Sequence, residues 1–194
     1  MYHQICQRGL ITVLYSIGNK PFRNWRIENK NGVARRQTDD ILNSLVLNFK
    51  GPNPVNNFIE CPKNPREKLG IRMRYFHLIM RNIESTFCFE VVIVDRSGFK
   101  RIFKVNNFSP TVLVHPFSAI LPITLFPNWN TIVLDLERLT HDCYGISYSQ
   151  TLKITINANF TIRRVFFSDR PYKDEELSRN FKFKITPNIQ APLI

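Results

Sequence analysis

The sequence predicts an all-β, single-domain β-sandwich, and three observations carry that expectation. Segments rich in β-branched and aromatic residues recur between turn formers, as in Leu45–Phe49, Phe87–Val94 and Thr131–Leu136. One segment alternates with period two: Leu152, Ile154, Ile156 and Ala158 interleave with Lys153, Thr155 and Asn157. Period two sends the first set to one face of a strand and the second to the other, so the first set is the inward one. Finally, Asp95-Arg-Ser-Gly98 separates two strand-like runs and reads as a hairpin turn, with Gly98 able to adopt positive φ.

Leu69–Ile83 fits neither period well, but Arg72 and Arg74 alternate with Ile71, Met73 and Tyr75, which favours a strand. From Val105 to Leu134 there is no Lys, Arg, Asp or Glu, a pattern that raises the question of a membrane span. Pro110, Pro116, Pro122 and Pro127 would break such a helix, so short buried strands joined by prolyl turns are expected instead. Near the C-terminus, Ser168 or Asp169 can cap a short helical turn, with Pro171 early in it and Asp174, Glu175 and Glu176 following. The domain is expected to span 1–186, and 187–194 to form an extended tail that orders against a partner.

The chain has 194 residues, enough for one sizeable core. Its 27 Lys and Arg against 15 Asp and Glu give a formal charge of +12, which favours an acidic partner such as nucleic acid, an anionic membrane or tubulin. Cys6, Cys61, Cys88 and Cys143 lie far apart, without the paired spacing of a zinc site or a redox dithiol, and read as buried free thiols of a reducing compartment. Gly9–Tyr15 is a short apolar run with no small-residue cleavage site after it, so no secretory signal is expected.

No nucleophile elbow, phosphate-binding glycine loop, metal-binding helix motif or dinucleotide fingerprint is present, so no catalytic residue, metal or cofactor is assigned. His141, Asp142 and Cys143 are adjacent, but strand neighbours face opposite ways, and a polar loop beside a buried Cys143 is the expectation. His115 is expected as a core or turn histidine. The basic residues come in pairs: Arg23 and Arg26, Arg35 and Arg36, Arg72 and Arg74, Lys100 and Arg101 with Lys104, Arg163 and Arg164, Lys182 and Lys184. Strand alternation can line such charges along one face, although cations on edge strands also serve to block unwanted strand addition. Phe22-Arg-Asn-Trp-Arg26 could stack on bases, but core aromatics with exposed arginines are preferred. A glycan-binding face would require two or three exposed aromatics together.

Beyond these local signals, a set of segments spans nearly the whole chain in order: Leu14-Tyr-Ser-Ile-Gly18, Lys20-Pro21, Trp25, Asn31-Gly32, Thr38-Asp39, Ser44-Leu-Val-Leu47, Cys61-Pro62, Leu69-Gly-Ile71, Phe89-Glu-Val91, Pro116-Phe117 and Trp129-Asn130. The longest comes last, at Ile162-Arg-Arg-Val165, Phe167-Ser-Asp-Arg170, Tyr172 and Glu176-Leu177. In these the chain resembles the cilia- and flagella-associated protein 20 family. The resemblance implies a jelly-roll-like β-sandwich resembling a carbohydrate-binding module. It further implies a non-enzymatic microtubule inner protein of the ciliary or flagellar axoneme and basal body, placed at the inner junction of the doublet microtubule. Implied partners are α- and β-tubulin, the parkin co-regulated protein and other inner-junction proteins. The alternative is a nucleic-acid-binding sandwich with a nuclear role.

Partner contacts are expected first at Arg163 and Arg164, which lie inside the strongest match, then at Asp169, Arg170 and Tyr172, with Arg35, Arg36, Lys100 and Arg101 as further cations. The competing reading of Arg170 is an internal pair with Asp174 or Glu175. The sequence departs from the family pattern at Pro52 and Pro54, at Arg74 in place of a proline, and at Ile102, Leu113 and His115 in place of basic residues. With the apolar tail, these departures suggest a paralogue with altered partners, as in sperm flagella.

Overall fold

The computed structural model describes residues 1–177, 181 and the backbone of 188–190. The strands are β1 (Leu10–Tyr15), β2 (Arg26–Asn29), β3 (Val33–Asp39), β4 (Ser44–Lys50), β5 (Asn57–Cys61), β6 (Tyr75–Asn82) and β7 (Cys88–Asp95). They continue with β8 (Lys100–Asn106), β9 (Leu113–His115), β10 (Ser118–Pro122) and β11 (Asn128–Asp135). The helix α1 (Leu136–Tyr144) precedes β12 (Tyr148–Asn157), β13 (Phe160–Ser168) and β14 (Asn188–Gln190). Among the described residues these form two seven-stranded sheets. Sheet A runs β14-β11-β6-β13-β4-β3 with β1 beside β13, and sheet B runs β2-β5-β12-β7-β8-β10-β9.

The expected alternation of β12 holds: Leu152, Ile154, Ile156 and Ala158 are buried, while Lys153, Thr155 and Asn157 are only half-buried. Phe76 of sheet A stacks on Phe89 of sheet B at 5.6 Å and meets Phe167 edge-on at 5.4 Å, so this trio ties the layers together. Burying each ring is worth roughly 1.5–3 kcal/mol. Trp25 is buried and donates its indole N–H to the Val13 carbonyl at 2.8 Å, satisfying the one polar atom the ring brings inside. Core placement of Trp25 beside an exposed Arg23 is thus as expected.

The hairpin at Asp95–Gly98 is formed, with Gly98 at φ +85°. Between Val105 and Leu134 the chain makes the end of β8, then β9, β10 and most of β11; β10 and β11 alternate buried residues, but β9 is exposed throughout. His115 therefore lies exposed at a sheet edge and not in the core. Among the described residues no helix is long and apolar enough to cross a membrane.

Leu136–Tyr144 is an α-helix, so His141, Asp142 and Cys143 are helical and not a loop. Asp135 is the N-cap, accepting from the Arg138 N–H at 3.1 Å, and Gly145 ends the helix at φ +67°. Arg74 forks onto the Asp135 carboxylate at 2.7 and 2.5 Å and holds the strand-to-helix corner. The short helical turn expected near the C-terminus is present as a single 3-10 turn at Asp174–Glu176, and residues 188–190 pair with β11 of the same chain, in parallel. Lys182, Lys184 and the rest of the tail lie outside the described residues.

Candidate partner-binding surface

Arg163 sits at a seam. Along one edge of β13, residues 160–162 pair with β4 and residues 164–168 pair with β1, and a bulge falls between Ile162 and Arg164. The extra residue resets the alternation, so Ile162, Val165 and Phe167 all reach the core. Arg163 fills the seam: its guanidinium donates to the Leu45 carbonyl at 2.8 Å and the Ser16 hydroxyl at 3.2 Å, and Ser16 Oγ donates to the same carbonyl at 2.7 Å. It thereby joins the end of β1 to the start of β4.

Arg164 points to the outer face of sheet A but is covered there. Its guanidinium carbon lies 3.7 Å from the Tyr15 ring centroid and 3.8 Å from that of Phe181. Burial pulls the pKa of both arginines below the ordinary value. With exposures of 8% and 3%, neither offers the free cationic row expected of them.

Arg101 is also buried, at 8% exposure. Its Nε and Nη2 each lie 2.8 Å from Asp95 Oδ2, its Nη1 donates to the Pro116 carbonyl, and Tyr144 packs against it at 4.4 Å. Lys100 beside it is exposed, as are Arg35 and Arg36 on β3, the outer strand of sheet A. Arg36 donates to the Ile17 carbonyl at 3.3 Å.

Asp169, Arg170 and Tyr172 form one exposed group. The Gly9 N–H and the Tyr172 hydroxyl donate to the Asp169 carboxylate at 2.8 and 2.9 Å. Partial desolvation works to raise the Asp169 pKa, but these hydrogen bonds outweigh it and hold the group below its usual range. Arg170 pairs internally with Glu176 at 2.6 Å and lies 4.1 Å from the Tyr172 ring. The structure therefore divides the nine candidates: Lys100, Arg35, Arg36 and the Asp169–Tyr172 group are on the surface, whereas Arg163, Arg164 and Arg101 brace the fold.

The cysteines carry no obvious chemistry. Burial pushes the Cys61 thiol up to about 12 and the Cys88 and Cys143 thiols up to about 11, which keeps them protonated near neutrality. Cys6, expected to be buried, is exposed. Among the described residues no group of three or more His, Cys, Asp or Glu side chains could hold a metal ion.

Sequence reasoning missed an exposed aromatic pair. Phe99, in the β7–β8 turn, and Phe117, in the β9–β10 turn, are 53% and 60% exposed with ring centroids 6.3 Å apart. The signal was present, since each follows a turn former, Gly98 and Pro116, but their meeting depends on the parallel pairing of β10 with β8.

A CFA20 domain matches residues 1–185. The chain is 41% identical over 182 residues to Cilia- and flagella-associated protein 20 of Caenorhabditis elegans, covering 94% of this chain and 90% of that one. It is 40% identical to the Paramecium tetraurelia protein of the same name and 39% to that of Chlamydomonas reinhardtii, covering 95% and 96% of their lengths. Among solved structures it is similar to a xylan-binding domain from CBM 22 (TM-score 0.46, 15% identity, 84% of this chain and 98% of that one). It is also similar to a family 11 carbohydrate-binding module from Clostridium thermocellum (TM-score 0.42, 9% identity, 87% and 100%). With a domain match over nearly its full length and relatives near 40% identity, the chain belongs to the cilia- and flagella-associated protein 20 family.

Proposed function

We propose that this chain is a non-enzymatic structural protein of the ciliary or flagellar axoneme, a microtubule inner protein that joins the B-tubule to the A-tubule at the inner junction of the doublet. The observation that carries the reading is family membership over 94% of the chain, at about 40% identity to relatives named for cilia and flagella. The physics is consistent with it. A rigid two-sheet body of formal charge +12 is suited to bridging acidic tubulin surfaces, and many copies along a filament make individually weak contacts add up. Tubulin, the parkin co-regulated protein and neighbouring inner-junction proteins are the proposed partners, and the axoneme and basal body the proposed location.

The nucleic-acid alternative is less well supported, because Trp25, one of the two aromatics of the Phe22–Arg26 segment it relied on, is buried. Co-sedimentation of the purified chain with doublet microtubules tests the proposal. Retention that weakens with salt is expected, and a chain that stays wholly in the supernatant at low salt would refute it.

A further inference from the structure

At one corner of sheet B two exposed phenylalanines stand on turns of a stretch that carries no acidic residue. From Arg96 to Leu134 there is no Asp or Glu. The carboxylate just before that stretch, Asp95, is 1% exposed and fully engaged: it accepts from the Ser97 and Phe99 backbone N–H groups, both at 2.9 Å, and from Arg101 at 2.8 Å. Arg101 in turn donates to the Pro116 carbonyl, and the Ile102 N–H donates to the Phe117 carbonyl at 3.0 Å. One buried ion pair thus fixes two separate turns, those that carry Phe99 and Phe117. The Arg101 guanidinium lies beneath both rings, at 5.3 and 5.7 Å.

Two phenylalanines that could have folded inward are instead held more than half exposed on a rigid base, with Arg96 and Lys100 exposed beside them. Preorganised exposed aromatics lose little conformational entropy on binding, which is the usual character of an interface hot spot. The cations set the sign of the partner.

We infer that the Phe99–Phe117 corner is a docking surface for an acidic polypeptide, which seats a large apolar side chain against the two rings and sets its carboxylates against Arg96 and Lys100. Arg101 acts here as a positioning residue and not as a contact. This deepens the proposed function, and rests on it, by naming the face that meets the acidic partner.

The test compares wild type, Phe99→Ser/Phe117→Ser, Arg96→Glu/Lys100→Glu and a control, Val55→Ser, which removes an apolar side chain 73% exposed elsewhere. Each is assayed on doublet microtubules, on a glutamate-rich peptide containing one phenylalanine, and on xylohexaose. Because both rings are exposed, the double Ser variant is expected to keep the wild-type circular dichroism and melting temperature. It is expected to bind doublets and peptide at least about tenfold more weakly, while the control is unchanged. The Arg96→Glu/Lys100→Glu variant is expected to weaken binding and flatten its salt dependence. If wild type binds doublets and the double Ser variant binds equally well, the inference is overturned and the proposed function stands. If wild type fails on doublets, the proposed function falls and the peptide decides: loss on the double Ser variant supports the surface, and no peptide binding by wild type overturns it. Salt-insensitive binding of xylohexaose, lost in the double Ser variant, overturns the choice of an acidic polypeptide.

Discussion

His77 makes the fold acid-sensitive in a way that one substitution can isolate. Its ring stacks on Phe166 at 4.3 Å, nearly parallel, and its Nε2 is 2.8 Å from Ser168 Oγ. It lines a small cavity of about 80 Å³ beside Tyr172, Leu177 and Phe181, whose walls among the described residues include no carboxylate to compensate a charge. Burial therefore lowers its pKa from 6.5 to about 4. A histidine whose folded pKa lies below its unfolded value leaves stability intact above the unfolded value and costs stability as pH falls towards the folded one. At pH 5 the unfolded chain is almost fully protonated at this site and the folded chain is not, a difference of about 2 kcal/mol, rising to about 3 kcal/mol below pH 4. For a chain of this size, 2 kcal/mol is a fall of about 4–8 °C in melting temperature. Urea denaturation of wild type and His77→Gln at pH 7 and pH 5 reads the effect, since other titrating groups are common to both. The wild type should lose about 2 kcal/mol more than the variant over this interval. Equal losses would refute the reasoning.

Further expectations concern groups that the fold uses internally. Arg101→Ala leaves Asp95 buried without its counter-ion and should cost about 3–5 kcal/mol, measured by denaturant melts; Arg101→Lys should recover little, because one ammonium cannot span both Asp95 and the Pro116 carbonyl. Arg163→Ala should destabilise by about 1–3 kcal/mol through the Leu45 carbonyl and Ser16 hydroxyl it leaves behind, yet bind doublets like wild type per folded molecule. Native protein at pH 8 should react quickly with a thiol reagent at Cys6 alone, with Cys61, Cys88 and Cys143 labelled only on unfolding, as followed by mass spectrometry.

Much of the sandwich was legible in the chain because its strands obey period two over long stretches, as β12 does, and because Asp95–Gly98 is a strong local turn. The helix α1 was missed for a physical reason. It follows β11 without a break, so Thr131–Leu136 reads as one strand, although Asp135 as a cap, Glu137 in the first turn and Gly145 beyond the end are helix signals. The candidate surface was read less well. Strand alternation alone turns an arginine to solvent, but Arg163 occupies a bulge between two strand partners, Arg164 is covered by Phe181, and Arg101 is neutralised by Asp95. Each of those fates depends on residues distant in sequence. Nor does any local pattern bring Phe99 and Phe117 together, because β8 and β10 are joined only by tertiary pairing.

The central claim, that this chain is an adhesive component of the doublet microtubule, is tested most directly by binding. The purified chain would be titrated onto doublet microtubules, intact and with the acidic tubulin tails removed, at two salt concentrations. The account predicts saturable binding to doublets that weakens as salt rises, and tail removal then tells whether the tails or the tubulin body carry the contact. Absence of binding to doublets at low salt by a folded chain that still retains nucleic acid would contradict it.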